Sequence, residues 1–144
     1  MNDFVTHVQV RWSDLDPNFH LRHSVYYDWG ALCRINFFYK FGLTSSLMQQ
    51  FHLGPILFRE ECIFKKEIHL QDTVMIDLIL KKGNRDISRW SIQHRVLKND
   101  NILSAIITVD GAWIDTSKRK LTVPPDQAIA VFEQMPKGAD FVWS

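Results

Sequence analysis

Residues 11 to 34 read Arg-Trp-Ser-Asp-Leu-Asp-Pro-Asn-Phe-His-Leu-Arg-His-Ser-Val-Tyr-Tyr-Asp-Trp-Gly-Ala-Leu-Cys-Arg, a dense set of polar groups between two apolar segments. Asp14 and Asp16 alternate with Leu15 and are followed by Asn18, His20 and His23. A loop aspartate can attack an electrophilic carbon or take a proton from water. Where a helix starts directly after such a loop, its first backbone N–H groups lack intrahelical acceptors and its dipole favours negative charge. One place can then hold both a base or nucleophile and the donors for an oxyanion. Asp14 and Asp16 also suit plain Asx turns. His20, His23 and Cys33 are too scattered to suggest a metal site, and none is expected.

The flanking elements follow from periodicity. From Phe4 to Trp12, the residues Phe4, Thr6, Val8, Val10 and Trp12 alternate with Val5, His7, Gln9 and Arg11, the period of a half-buried strand. Ser13, Asp14, Asp16, Pro17 and Asn18 make the next stretch a loop. Ser24 is then expected to cap a long helix over Val25–Phe41, with Asp28 near its positive end and Gly42 closing it. The wheel puts Asp28, Asn36 and Lys40 on a narrow arc, so most of the helix should be covered. Arg34 alone interrupts the apolar side and needs a carboxylate or carbonyls as partners. A short helix is expected over Ser45–Phe51, ending at Gly54-Pro55.

Four strand-like runs follow, Ile56–Ile68, Thr73–Lys82, Ile87–Lys98 and Ile102–Ile114, joined by short turns that imply antiparallel neighbours. Val74/Ile76/Leu78/Leu80 and Trp90/Ile92/His94/Val96 each mark one core-facing side. Asp126–Met135 reads as an amphipathic terminal helix. The plan is α+β, an antiparallel sheet of about five strands wrapped around one long central helix, in one domain over residues 1–144.

The whole sequence limits the functions open to it. In 144 residues, 17 Lys+Arg offset 16 Asp+Glu, so the formal charge is +1 and nucleic acid is not an expected partner. The longest uncharged stretch, Phe41 to Phe58, contains Ser45, Ser46, Gln49, Gln50, His52, Gly54 and Pro55, so no membrane span is expected. Met1 to His7 show no secretory pattern, and a cytoplasmic address is the expectation. Cys33 and Cys62 have no CxxC spacing and are read as unpaired, buried small residues.

Asp14-Leu15-Asp16, Tyr26, Trp29 and Arg34 together resemble the hotdog-fold acyl-CoA thioesterases of the 4-hydroxybenzoyl-CoA thioesterase type. Their first strand leads to an Asp-x-Asp loop, an aromatic pair or Tyr-x-x-Trp, and Ala-x-x-Arg. Asp16, Asn18 and His20 are also similar to the loop of fatty acyl-carrier-protein thioesterases of that fold. Val109-Asp110 and the basic run before Pro124 look like the family's closing strand. The resemblance implies a hotdog fold and hydrolysis of an acyl or aroyl thioester of coenzyme A or acyl carrier protein. It implies no cofactor beyond the coenzyme A of the substrate, and a homodimer or homotetramer with sites between protomers.

By this resemblance Asp16 is the catalytic carboxylate, as nucleophile or general base, with Asn18, His20 and His23 beside it. The backbone N–H at or next to His23 faces the carbonyl oxygen. Some relatives carry histidine at this position, which makes its imidazole a second candidate. Phe19, Tyr26, Tyr27 and Trp29 are the expected pocket residues. Many members have glycine where this chain has Phe19, which then narrows the pocket or redirects the loop. The carrier-protein enzymes have Asn-Asn where Arg22-His23 stands. Asp14 is expected to brace the loop or pair with Arg11 or Arg34. Some hotdog enzymes use a glutamate, so one of Glu60, Glu61 and Glu67 can serve, although surface charge is the plainer reading; Lys81, Lys82, Arg85 and Lys118–Lys120 can reach CoA phosphates, although solvated hairpin ends carry the same pattern. Two rival readings remain: a hotdog enoyl-CoA hydratase pairing Asp16 with His20, and a non-catalytic acyl-CoA binding module.

Overall fold

The computed structural model describes residues 4–144, in which an antiparallel sheet curls around one long helix. β1 (Val5–Gln9) leads through a 3-10 turn at Trp12–Asp14 into α1 (His23–Lys40), followed by α2 (Ser45–Gln50). Then come β2 (Leu53–Phe64), β3 (Thr73–Asp77), β4 (Ile79–Gly83), β5 (Arg89–Lys98), β6 (Ile102–Asp115), β7 (Lys120–Leu121) and α3 (Asp126–Gln134). The strand order is β1-β3-β5-β6-β2, with β4 also on β5 and β7 on β6. This is the α+β hotdog plan that the sequence implied, with β4 and β7 added to the five-strand path.

α1 starts at His23, two residues before the expected start, because Arg22 and not Ser24 is the N-cap. Arg22 is extended at φ −67°, ψ 139° and has no side-chain cap bond. Ser24 instead lies in the first turn, where its hydroxyl accepts from Arg22 Nε at 2.9 Å. The first turn carries no acid, so Asp28 does not neutralise the positive end of the dipole. At the other end Gly42 is left-handed at φ +94°. Leu43 N–H donates to Phe38 O at 2.8 Å and Gly42 N–H to Tyr39 O at 3.2 Å, the paired bonds of a Schellman stop. Thr44 caps α2 by accepting from Leu47 N.

The run Thr73–Lys82 is broken at Leu78 into β3 and β4. Asp77 causes the break: its carboxylate accepts from Arg95 N at 2.8 Å and from Arg95 Nε at 2.7 Å. The Asp77 carbonyl turns inward, with His94 Nδ1 of β5 2.9 Å away and Cys33 Sγ of α1 3.5 Å away. Arg34 is buried at 8% exposure, yet its partner is neither the carboxylate nor the carbonyls expected of it. Arg34 Nη1 lies 3.0 Å from Nε2 of the fully buried His94. A guanidinium can only donate, so Nε2 accepts and Nδ1 carries the proton given to Asp77 O. Burial and the guanidinium push the His94 imidazole down to about 3, which keeps it neutral.

Around this chain the core joins Val25, Trp29, Cys33 and Phe37 of α1 to Ile76, Ile92, Val96, Ile107 and Val109 of the sheet. Each such side chain stabilises the fold by about 1.5–3 kcal/mol when fully buried. Both cysteines are free, and burial pushes the Cys33 thiol up to about 12. Phe132 of α3 sits 5.7 Å from Phe38, 5.8 Å from Trp90 and 6.0 Å from Trp113, ring to ring. The chain beyond α3 returns along β4: Leu80 N–H donates to Pro136 O at 2.7 Å and Ser144 N–H to Gly83 O at 3.0 Å. Single parallel bridges join Leu80 to Lys137 and Gly83 to Trp143.

Gly111 of β6 lies under the ring of Trp90. A Cβ there would sit 2.3 Å from a ring carbon of Trp90 and 2.6 Å from Ile56 O. Gly111→Ala is therefore expected to destabilise the fold by about 1–3 kcal/mol through overpacking, read as a lower Tm in thermal unfolding.

Candidate active site

The loop between β1 and α1 is held by two aspartates with different roles. Asp14 is buried at 1% exposure. Its carboxylate accepts from Arg11 N at 2.9 Å and from Arg11 Nη2 at 2.9 Å, while its carbonyl accepts from Arg22 N at 2.8 Å. Asp14 thus ties the 3-10 turn to the residue that caps α1, and its partner is Arg11 rather than Arg34. The hydrogen bond from Arg11 holds the Asp14 carboxyl below its ordinary range against the opposing effect of burial.

Asp16 organises the tip of the loop. Its Oδ1 accepts from Asn18 N at 2.8 Å, and its Oδ2 lies 3.1 Å from His20 Nδ1. Asp16 N donates to His20 O at 2.9 Å, and Leu15 bridges to Leu21, so the segment doubles back as a tight antiparallel turn. Phe19 forms the tip in the left-handed region at φ +66°. That backbone explains why glycine is common there, since glycine reaches φ > 0 without steric cost. The Phe19 ring is 65% exposed and lies 6.4 Å from the ring of Trp12, outside the pocket.

A cavity of about 300 Å³ opens between this loop, the first turn of α1 and the end of β2. Asp16, His20, Leu21, His23, Tyr26, Phe64, Lys65, Lys66 and Glu67 line it. Four of the eight expected site residues therefore meet here: Asp16, His20, His23 and Tyr26. Asn18 contributes its backbone N–H to Asp16 but does not line the cavity, and neither do Phe19, Tyr27 and Trp29. Trp29 is a core residue, and Tyr26 forms the wall by packing edge-on to Phe64 at 5.0 Å. Burial pushes the Tyr26 hydroxyl up to about 12, so it stays protonated.

Glu67 stands opposite the loop. Its Oε1 lies 3.7 Å from His20 Nε2 and its Oε2 3.8 Å from His69 Nε2, so His20 faces a carboxylate on each side. Lys65 and Lys66 are the basic residues at this cavity, where the sequence offers Lys81, Lys82, Arg85 and Lys118–Lys120. They reach it because both backbone N–H groups bond to Ser104 O, at 2.8 and 3.1 Å, and turn the chain out of β2. Only the run of two lysines before Glu67 hints at this. At the head of α1, the His23 and Ser24 N–H groups have no intrahelical acceptor. Among the described residues no group of His, Cys, Asp and Glu is placed to hold a metal ion. No helix there is long and apolar enough to cross a membrane.

The model of the thioesterase-like superfamily matches residues 10–132. The chain belongs to that superfamily. It is similar to a 1,4-dihydroxy-2-naphthoyl-CoA thioesterase from Synechocystis, with a TM-score of 0.81 at 14% identity over 91% of this chain and 96% of that one. A Staphylococcus aureus protein solved in complex with CoA aligns with a TM-score of 0.83 at 18% identity, covering 98% of this chain and 89% of that one. A thioesterase from Thermus thermophilus, complexed with coenzyme A and Zn, aligns with a TM-score of 0.71 at 22% identity over 90% and 95% of the two chains. No curated protein matches in sequence. At these identities the structures speak for the shared fold, and the superfamily match for thioester hydrolysis as a general class.

The lowered Asp14 carboxyl has a signed consequence. The folded state keeps Asp14 ionised to lower pH than the unfolded chain does, so its stabilisation is complete above the ordinary carboxylate range and lost as pH falls through the folded value. Asp14→Asn should cost about 1.5–3 kcal/mol near neutrality. That difference from wild type should shrink as denaturant unfolding is repeated at progressively lower pH.

Proposed function

We propose that this chain hydrolyses acyl or aroyl thioesters of coenzyme A or acyl carrier protein, with Asp16 as the catalytic carboxylate. The observation that carries the reading is that Asp16 lines a cavity also lined by His23, the first residue of a helix whose leading N–H groups have no acceptor within it. Asp16 attacks the thioester carbonyl carbon or takes the proton of the attacking water. The negative charge that develops on the carbonyl oxygen is met by the His23 and Ser24 N–H groups and the positive end of the α1 dipole. Collapse of the tetrahedral intermediate expels the thiolate, which takes its proton from water or from the protonated Asp16 and needs no strong acid; on the nucleophilic route water then hydrolyses the mixed anhydride left on Asp16 to release the acid. His20, set between Asp16 and Glu67, orients the carboxylate. Lys65 and Lys66 offer charge to the carrier's phosphates. The CoA complexes of two similar structures support this choice of substrate carrier.

One observation favours a second reading. The 3.1 Å contact of His20 Nδ1 with Asp16 Oδ2 is the pairing expected of an enoyl-CoA hydratase, which adds water across a double bond and leaves the thioester intact. Release of free thiol from acyl-CoAs separates the two, and a binding module would release none.

The active form proposed is a dimer built on β2. This edge strand exposes Leu57, Phe58, Ile63 and Phe64, at 43%, 53%, 46% and 52%. A long unpaired edge is a template for pairing, here with apolar residues on both sides of the charged Arg59–Glu61, and Phe64 also lines the cavity, so a second copy would abut the site. Light scattering should give a mass at least double 16.9 kDa for active protein. Ile63→Lys should shift it toward the monomer with loss of turnover.

Asp16→Asn should lower kcat about a hundredfold or more in a thiol-release assay, with the melting temperature retained. His23→Ala should lower it by less than about tenfold, since the backbone N–H remains. Equal losses in the two variants, with a pH limb near neutrality gone in His23→Ala, would assign the reaction to the imidazole instead.

A further inference from the structure

Tyr26 presents to the reaction cavity a donor that the steps above leave unused. The residue is buried at 3% exposure and lines the cavity of about 300 Å³ at the head of α1. Its ring is held edge-on by Phe64 at 5.0 Å and lies 6.4 Å from the ring of Trp29. Burial chiefly, with Cys62, Glu67 and Asp16 acting through space, keeps the hydroxyl protonated. Its Oη makes no hydrogen bond to any described residue, yet it is not sealed off as the unpaired indole nitrogens of Trp90 and Trp113 are. The hydroxyl therefore opens on the cavity that Tyr26 lines, where Asp16 and Glu67 also stand. Phenylalanine would keep the contact with Phe64, so the oxygen adds to the resting protein only a donor that the core does not use. Buried tyrosine hydroxyls ordinarily find an acceptor, and this one faces the space a substrate fills.

In a thioester held as proposed above, the carbonyl oxygen is met by the His23 and Ser24 N–H groups, and the sulfur, like the thioether of methionine, is a weak acceptor. A strong acceptor for Tyr26 has to come from the acyl group. The lining that suits an apolar group is Leu21, Tyr26 and Phe64, because the rest of the cavity wall is charged or imidazole. An acyl group packed there carries its first carbons past the Tyr26 hydroxyl. Asp16, which acts at the reacting carbon, also acts on that hydroxyl, so the acceptor lies close to the carbonyl along the chain. An oxygen on the α carbon stays beside the carbonyl oxygen at the helix head, whereas one on the β carbon stands a bond nearer the wall. We propose that Tyr26 Oη donates a hydrogen bond to an oxygen on the β carbon of the acyl group, making β-oxygenated acyl thioesters the preferred substrates. The placement of the carbonyl rests on the thioester reading above, though the hydrogen bond itself requires no hydrolysis.

Both enantiomers of 3-hydroxybutyryl-CoA match butyryl-CoA in carbon number and differ from it only in the β oxygen. Wild-type kcat/KM for thiol release should favour one of them by about tenfold or more, since a site built to bond an oxygen disfavours the analogue without it. Tyr26→Phe should lower that ratio by about tenfold or more, with the melting temperature retained. Calorimetric titration of Asp16→Asn should show the same enantiomer binding about tenfold tighter than butyryl-CoA, a preference lost when Tyr26→Phe is added. Should Tyr26→Phe fail to fold, equal affinities of Asp16→Asn for the two thioesters overturn the proposal. Thiol release from butyryl-CoA with a ratio that Tyr26→Phe leaves unchanged, whether by no loss or by equal loss on both thioesters, also overturns it and leaves the hydrolase reading standing. No thiol from either thioester, with a binding preference lost in the double variant, overturns the hydrolase reading and upholds the Tyr26 contact. Neither thiol nor preference overturns both.

Discussion

A buried guanidinium held by a neutral imidazole ties the helix to the sheet. Arg34 donates to His94, and His94 donates to the carbonyl of Asp77, so one proton arrangement links the middle of α1, the centre of β5 and the break between β3 and β4. No member can be exchanged alone. Without Arg34 the imidazole nitrogen becomes an unpaired buried acceptor, and without His94 the guanidinium and the Asp77 carbonyl both lose a partner. The break at Leu78 belongs to the same arrangement, because Asp77 can turn its carbonyl inward only while its carboxylate takes over the ladder bond to Arg95 N. The helix is therefore fixed in axial position as well as by packing, and its first turn is delivered to one place beside the loop.

That loop is the other half of the device. Asp14 has its carboxylate on Arg11 and its carbonyl on Arg22, which sets where α1 begins. Asp16, two residues on, spends one oxygen on the turn and keeps the other toward His20 and the cavity. Two aspartates so close in sequence thus divide into a brace and a reactive group because one is enclosed and the other stands at a rim.

Much of this is legible in the sequence because it rests on short-range physics. The alternation Trp90/Ile92/His94/Val96 places His94 on the core face, and Gly42 announces the end of α1 through the left-handed backbone that a helix stop needs. Arg34 is recognisable as a buried charge in need of partners. Its actual partner is not, since a neutral histidine sixty residues away looks in sequence like one more strand residue. The helix start is misplaced in the sequence because Ser24 suits a cap by type, while the loop held by Asp14 makes Arg22 the extended residue. Phe19 reads as a pocket residue from its position in the motif, and its left-handed backbone turns it outward instead. Lys65, Lys66 and Glu67 reach the cavity only through the pairing of β2 with β6, a contact that no local pattern encodes.

The return of the chain along β4 bears on how copies of the molecule can add to one another. The segment after α3 touches that strand through two isolated bridges and arches away between them, so it occupies the border without offering a continuous ladder of its own. β1, which ends the strand order on that side, is only five residues long. β2 at the opposite border is twelve residues long and open. Were two copies to join through β2, the pairing would be like to like and would use up the longer border of each. What would remain is the five-residue β1 and the bridged margin of β4, a much shorter ladder for a third copy.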